Sequence, residues 1–578
     1  MVEARVPRRP DRRGPMSWLV SLLRTVAVAI LVVAGPALAQ SHRGLDPFVI
    51  QAPQPRDPAQ ADVLRFLEQA TFGPTEVLVA HVEKVGIAAY LEEQWNTKPS
   101  YYRTYLAMPA SQAVGCPDGS EATCARDNYT MYPLQVELFL RALGSEDQLR
   151  QRVALALHEI LVVSGQKVRQ PSQMFGYLNM LVENAFGNYR KVLGDLTLNP
   201  AMGLYLDMVN NDAASAPANI RPNENYAREV LQLFSIGVNL LNQDGTDQLD
   251  GQGNPVATYT QETIGNFARV FTGWTYATMP GSAPLRHNPP NALAPMVLYR
   301  NAAGVDANHD KGSKQLLAYT GAVTTSLPAN QDGGADLEQA LDNVFRHPNV
   351  GPFLGKQLIQ HLVTSNPSPG YVKRVAQAFE NDGTGVRGSL KAVVQAILLD
   401  KEARGAVKSE PGYGRLREPV LFITNLCRAF NATSDGILAS AATGMGQNLF
   451  NSPTVFSYYP HEYEIPFTTL EGPEFGIQSS VTAEARINAV NTLAFSTIRA
   501  PAPNPGTALN LSPLIGIAGS PTSLVEELDD ILLHGTMSNA MKATVVDAVT
   551  AIAPSNPTLR AQTAFYLVAS SSQYQVAR

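Results

Sequence analysis

The sequence predicts a mainly α-helical protein: one large multi-helix domain with a small β-hairpin insertion, long surface loops and a C-terminal helical subdomain. Three observations carry that expectation. Apolar residues recur every three or four positions through most of the chain. Start and stop signals bracket those periodic segments. Strand-like patterning with turn residues is confined to residues 238–259.

The chain opens on what reads as an export signal, residues 1–39. Arg5, Arg8, Arg9, Arg12 and Arg13 form a basic region, residues 25–34 an apolar run, and Ala37-Leu38-Ala39 a small-x-small cleavage site, so that the processed chain begins at Gln40. The apolar run is shorter than the roughly 20 residues a membrane-spanning helix needs, which weighs against an uncleaved anchor. Arg8-Arg9 and Arg12-Arg13 lack the apolar continuation of a twin-arginine signal. Residues 1–39 carry six arginines and two acids, so removing them moves the net charge from −6 to −10. That balance argues against nucleic acid as a partner. No later segment is apolar over 18 residues, so no transmembrane segment is expected after cleavage. The expected location is periplasmic or secreted.

At 16% charged and 45% hydrophobic residues, the remainder has the composition of a globular protein with a large core. Residues 62–69 read as a helix, followed by the loop Ala70-Thr-Phe-Gly-Pro and a second helix start at Thr75. Cys116 and Cys124 lie eight residues apart in a loop rich in Gly, Pro and Asp. In an oxidising compartment that spacing predicts a local disulfide, whereas two thiols without a nearby His make a poor metal site. Cys427 lies in an apolar helical run and reads as a buried free thiol.

Residues 153–163 read as an apolar helix carrying His158-Glu159. The absence of a second His four residues on excludes an HExxH zinc site, and His158 reads as a core histidine. His361, between Leu358 and Leu362, reads as a packing residue. Residues 222–237 form a helix bearing Glu224, Arg228 and Glu229. It is otherwise apolar enough to be buried. The following insertion, 238–259, carries turn signals at Asp244-Gly245 and Gly253-Asn254. Its acids lack the EF-hand spacing for calcium.

Thr260 is then an N-cap, with Tyr259 and Ile264 placed to staple it. Ile264, Phe267, Ala268 and Phe271 follow at helical spacing up to Gly273. Residues 275–335 read as long surface loops. Helices are expected at 337–345, 353–363, 371–379 and 390–399, the last capped by Ser389. By domain, 40–500 is the helical core, 501–522 a linker, and 523–578 the C-terminal subdomain.

A family resemblance runs through these elements. Arg65-Phe-Leu-Glu-Gln-Ala-Thr-Phe-Gly-Pro-Thr75, Asn199-Pro-Ala-Met202, Asn223-Glu-Asn-Tyr-Ala-Arg-Glu229, Phe271-Thr-Gly-Trp274, His309-Asp310 with Lys314, His347-Pro348 and Asn448-Leu-Phe-Asn-Ser-Pro-Thr-Val455 occur in this order. The chain thereby resembles, over roughly residues 60–570, the bacterial family called domain of unknown function 1800. The resemblance implies an exported, largely helical protein and an exported sulfatase-like protein as partner; it implies no reaction. Two places depart from the family pattern. Where relatives carry a Trp-His-Asn-His-Phe-like stretch, this chain has Leu157-His-Glu-Ile-Leu161. Where relatives carry Gly-Trp, it has Phe456-Ser-Tyr-Tyr-Pro460.

Two groups of residues are the sequence's candidates for chemistry. Glu224 and Arg228 pair at i,i+4 and Glu229 lies on a neighbouring face, so two acids near a guanidinium can act as acid and base. The same three residues equally suit an ion-pair knot. His309-Asp310 suits activation of water or binding of a divalent metal of unknown identity, with Lys314 as an anion contact. Loop anchoring, with Lys314 paired to Glu224 or Glu229, serves those residues as well. Trp274, with Phe271 and Tyr276, suits either a sugar-stacking platform or core packing.

Two functional readings follow. One is a hydrolase-like enzyme acting on an extracytoplasmic polymer, acidic or sulfated. Its catalytic residues are Glu224, Glu229, His309 and Asp310, and Arg228, Lys314 and Trp274 bind substrate. The alternative is a non-catalytic periplasmic or cell-surface binding or assembly protein in which those residues form a structural lock. No Gly-x-Ser-x-Gly elbow, phosphate-binding loop or Cys-x-x-Cys-His occurs, which lowers the prior for α/β-hydrolase, nucleotide and c-type haem chemistry.

Overall fold

Helix Gln148–Ile160 is the axis of the molecule, with all thirteen of its residues buried. It is surrounded by helices Pro58–Ala70, Ile87–Asn96, Tyr132–Gly144, Pro171–Asn184 and Val350–Leu362. A helix buried at its ends must find partners for its free N–H groups. Here Gln94 Oε1 accepts from the N–H of Leu149 at 3.1 Å, and Asp147 Oδ2 ties the start to Ser100 N and Gln151 Nε2, both at 2.8 Å. The computed structural model describes residues 57–216, 219–405, 407–408, 410, 412–499 and 504–578. The expected export signal lies outside them. All belong to one compact unit, Ala52–Arg578.

The described residues are 49% helical and 6% strand, so the fold is mainly α. The start signals sit where the sequence puts them. Thr75 caps Glu76–Val85, Ser389 caps Leu390–Leu399, and Thr260 and Thr263 form a reciprocal capping box on Gln261–Val270. Helices Val350–Leu362, Pro369–Glu380 and Leu390–Leu399 pack on one another as a consecutive trio. Among the described residues no helix is long and apolar enough to cross a membrane. Cys116 and Cys124 form the predicted disulfide. Cys427 is free and buried, and burial pushes its thiol up to about 12.

The insertion at 238–259 is held by antiparallel bridges Asn239–Ala257, Leu241–Asp247 and Leu249–Pro255, so the chain reverses twice. The reversals use Gly245 (φ +80°) and Gly253 (φ +86°), where a left-handed backbone favours glycine. The regular strands lie elsewhere. Trp274–Thr275 pairs with Val297–Leu298, and Lys314–Gln315 with Ser326–Leu327. The stretch 275–335, expected as surface loops, therefore carries four short strand segments. It also buries Asn288, Asn291, Asp306, His309 and Lys314. Its Pro, Asn and Gly content hides this, because the polar side chains themselves bond the backbone: Asn288 Nδ2 donates to Tyr276 O at 2.7 Å.

Helix Pro557–Ala569 packs against Ser480–Phe495, Ser512–Ile517, Pro521–Leu533 and Asn539–Thr550. Val576–Ala577 then pairs with Arg415–Leu416. The stretch expected as a linker is tied in by bridges Ile498–Thr507 and Thr433–Ala508 and contains helix Ser512–Ile517; residues 500–503 lie outside the described residues.

Candidate functional site

Glu224 and Arg228 are not buried. Each side chain is 39% exposed; they pair at 3.2 Å, and Gln261 bonds both, its Nε2 donating to Glu224 Oε2 at 2.7 Å. Helix Asn225–Gln232 turns its apolar side, with Tyr226, Ala227, Val230 and Leu231, into the core. The Glu224–Arg228 face is thereby left outside. Glu229 is half-buried, and its Oε2 makes no hydrogen bond. Burial pushes its carboxyl up to about 6, against a smaller pull from Arg228.

His309, Asp310 and Lys314 do meet, around an acid that sequence reading missed. Asp336, in the first turn of Gly333–Phe345, accepts from His309 Nε2 at 3.0 Å and Lys314 Nζ at 2.7 Å on Oδ2, and from Gln331 at 2.7 Å on Oδ1. His309 Nδ1 lies 2.9 Å from Thr272 O. Lys314 also donates to the carbonyls of Asp310 and Gly312. Burial pushes the Asp336 carboxyl up, but hydrogen bonds from His309 and Lys314 outweigh it and hold it below the usual carboxylate range. A Cβ on Gly333 would come 2.9 Å from His309 Cγ, so glycine allows the helix start to approach the ring. Lys314 is thus paired to Asp336 and, at 3.8 Å, Asp310, not to Glu224 or Glu229. Trp274 is buried in the core, as are Phe271 and Tyr276.

A second polar cluster, larger and more deeply buried, lies on the central helix. Residues adjacent in a helix point about 100° apart. His158 therefore turns toward Tyr177 and Phe450, where burial holds it at about 4. Glu159 turns the other way, toward Glu418, Gln447 and His361. Gln447 Nε2 donates to Glu159 Oε1 at 2.9 Å and to Glu418 Oε2 at 2.8 Å. Arg415 binds Glu418 Oε1 at 3.1 Å and Glu474 Oε1 through Nε at 2.9 Å. Arg415 and Arg152 both donate to the carbonyl of His361, in the last turn of Val350–Leu362 where helix carbonyls lack helical partners.

The two central carboxyls titrate apart. Burial raises Glu159 well above its ordinary value, and the charge and hydrogen bond of Glu418 add to that. Burial also opposes ionisation of Glu418, but Arg415, Arg152 and His361 reverse the balance and hold it low. Two carboxyls in contact cannot both ionise cheaply. Of the two, Glu159 is the one that favours its proton and Glu418 the one that favours its charge. Burial likewise raises Glu474, against Arg415, and holds His361 at about 3.

This cluster opens on a small pocket of about 30 Å3, room for a few atoms. Its walls include Glu159, His361, Ser457, Tyr459, His461 and Glu474. Several polar atoms here are buried without a hydrogen bond: Glu474 Oε2, Ser457 Oγ, the Tyr459 hydroxyl and Gln360 Oε1, while Glu159 Oε2 has only His361 Nδ1, at 3.3 Å. Ser457 also has φ +62°, a left-handed conformation costing about 1–3 kcal/mol in a non-glycine residue. Such strain persists where surrounding structure enforces it. His461 continues into a wider polar cleft of about 430 Å3, lined by Asp247, Phe353, Lys356, Glu462, Glu464 and Glu471. Ile160 and, from Phe456–Pro460, all but Tyr458 line the small pocket, so both places where the sequence departs from the pattern it resembles meet there.

Sequence reading missed Arg152, Glu159, Arg415, Glu418 and Glu474 because they meet only in the tertiary structure. One local signal was present. Arg152 and Glu159 stand seven residues apart, on one face of a fully buried helix. Among the described residues no three His, Cys, Asp or Glu side chains are grouped to hold a metal ion. The profile of a protein family described as "Protein of unknown function (DUF1800)" matches residues 65–576. No curated protein and no solved structure matches the chain.

Proposed function

Because the chain belongs to that family, whose description names no reaction, we propose from the site itself that it is a hydrolase-type enzyme with Glu159 as its proton donor. The observation that carries this reading is the carboxyl pair. Burial and Glu418 raise Glu159 well above its ordinary value while Glu418 is held low, and Glu159 Oε2, with His361 Nδ1 at 3.3 Å, belongs to a side chain lining an accessible pocket. Carboxyls whose environments separate their pKa values are the usual basis of acid–base division of labour. In the proposed reaction Glu159 gives its proton to the leaving group as the scissile bond breaks. Glu474 takes a proton from the water whose oxygen forms the new bond. Arg415 fixes Glu418 and Glu474, and Tyr459 and Ser457 supply hydroxyl contacts.

The 430 Å3 cleft meeting this pocket at His461 has room for a few units of a polymer. Asp247, Glu462, Glu464 and Glu471 outnumber Lys356 there, which favours a neutral or cationic chain over an acidic or sulfated one. The arginine-rich start of the chain and the Cys116–Cys124 disulfide support an extracytoplasmic setting. His309, Lys314 and Asp336 serve in this reading as a structural lock.

The test is a panel of neutral, amine-bearing and acidic glycans and peptides, incubated with wild type and Glu159→Gln. General acid catalysis contributes about 10²–10⁴-fold, so the variant loses that much on any substrate the wild type cleaves while keeping its fold. Undiminished cleavage by the variant would remove Glu159 from the mechanism. A wild type that cleaves nothing yet retains one of these polymers would favour a binding or assembly role.

A further inference from the structure

We propose that a second pocket, lined by Arg65, Glu68, Arg152, Arg415, Arg417 and Asn425, binds a small inorganic anion of halide size, with Arg152 as its principal contact. The pocket has a volume of about 30 Å3. Five arginines, Arg578 being the fifth, line it against one acidic side chain, and that acid is already engaged: Glu68 pairs with Arg417 at 2.9 Å and lies 3.5 Å from His534.

Following each guanidinium shows where the surplus charge sits. Arg417 has Glu68. Arg415 has Glu418 and Glu474. Arg65 lies 4.0 Å from Asp62 and donates to the backbone oxygens of Arg578 and Gly405. Arg152 is 1% exposed, and among the described residues no carboxylate is bonded to it. One of its nitrogens donates to His361 O at 2.7 Å, while its Nε and other terminal nitrogen are buried without a hydrogen bond. Glu418 and Glu159 act on it through their charge, but neither bonds those two nitrogens.

A buried cation needs a countercharge and its N–H groups need acceptors. A single compact anion in the arginine pocket supplies both. Burial and the charge of Arg415 pull the Arg152 guanidinium down to about 10, against a smaller opposing pull from Glu418 and Glu159. The small volume selects a halide over a larger oxyanion, and the five arginines of the lining select charge over a neutral ligand. This assignment stands apart from the proposed reaction and survives its failure.

Thermal denaturation in sodium chloride, against sodium gluconate of equal ionic strength, tests it, with wild type and Arg152→Met compared. The expected result is a melting temperature that climbs with the logarithm of chloride concentration in the wild type, as ligand binding to the folded state requires. The gluconate series stays flat, and Arg152→Met shows no chloride-specific rise. Equal responses to chloride and gluconate, equal responses in both proteins, or stabilisation by phosphate but not chloride would overturn the assignment. If Arg152→Met does not fold, wild-type crystals soaked in bromide decide. An anomalous peak within hydrogen-bond reach of Arg152 supports the site, and its absence at saturating bromide overturns it.

Discussion

Glu159 and Glu418 approach the same amide nitrogen, Gln447 Nε2, at 2.9 and 2.8 Å, while Gln447 Oε1 accepts from Val420 N at 2.9 Å. That last bond orients the amide, so its two hydrogens face the two carboxyls. The arrangement holds one protonated and one ionised acid side by side, with Arg415 deciding which is which.

The pair makes opposite predictions for two conservative substitutions. Glu159→Gln keeps a neutral hydrogen-bonding group, so stability in urea denaturation is unchanged or raised. Glu418→Gln strips Arg415 and Arg152 of an ionised neighbour and loses on the order of 3–5 kcal/mol. Their pH signs differ as well. A raised acid such as Glu159 binds its proton more tightly when folded, so its contribution falls as pH rises above the unfolded value near 4.5. A depressed acid such as Glu418 contributes above that value and loses its contribution as pH falls below it. Glu159→Gln therefore flattens the alkaline limb of the stability profile and leaves the acid limb.

Glu229 offers a simpler titration. Its carboxyl is raised from 4.5 to about 6, mainly by burial, so ionisation weakens the fold progressively across that interval and fully above it. Glu229→Gln stabilises the protein at pH 7.5 by about 1–2 kcal/mol at most, after allowance for solvent screening of a half-buried group. At pH 4 the gain vanishes. Denaturation curves at the two pH values check both statements.

The His309–Asp336–Lys314 cluster predicts a non-additive pair. Asp336→Asn leaves the buried Lys314 ammonium with only Asp310, 3.8 Å away, and costs on the order of 3–5 kcal/mol. Adding Lys314→Met removes the stranded charge and restores part of the loss. A double variant as unstable as the sum of its singles would contradict the ion-pair account; a double-mutant cycle measures it. Asp336 sits below its unfolded value of 3.8, so the cluster's contribution persists at neutral pH and disappears on acidification through that region.

Cys116 and Cys124 close a short loop. Chain entropy for a loop of this size gives about 2–3 kcal/mol, an upper value where the loop opens without the rest of the fold. Cys116→Ser with Cys124→Ser is expected to lower the melting temperature modestly. It also exposes the neighbouring backbone to limited proteolysis, which mass spectrometry of the fragments would show.

Caps and periodicity carried a large share of the fold at the level of sequence. Thr75, Thr260 and Ser389 are local devices, legible because a capping side chain bonds a backbone only two or three residues away. Helix Leu390–Leu399 has the bounds its apolar spacing predicts. The short strands of 275–335 were hidden, since two-residue strands carry no periodicity. The candidate site was hidden for a related reason. Glu224 and Arg228 stood out because they are neighbours in sequence, yet they lie at the surface. Glu159, Arg415 and Glu474 converge from three distant segments, and His158 drew notice in place of the residue beside it.

Arg415, the residue that sorts the charges of the acid cluster, lies in a two-residue strand that pairs with Val576–Ala577. Arg417 beside it is held by the carbonyls of Tyr574 and Gln575. The cluster thus depends on segments more than 150 residues apart in the chain. Caps and neighbouring helix pairs can form from local sequence, but this centre cannot. A break anywhere between the two strands would leave most helices intact and still cost the chemistry proposed here, so the centre reports on the integrity of the whole fold rather than of its parts.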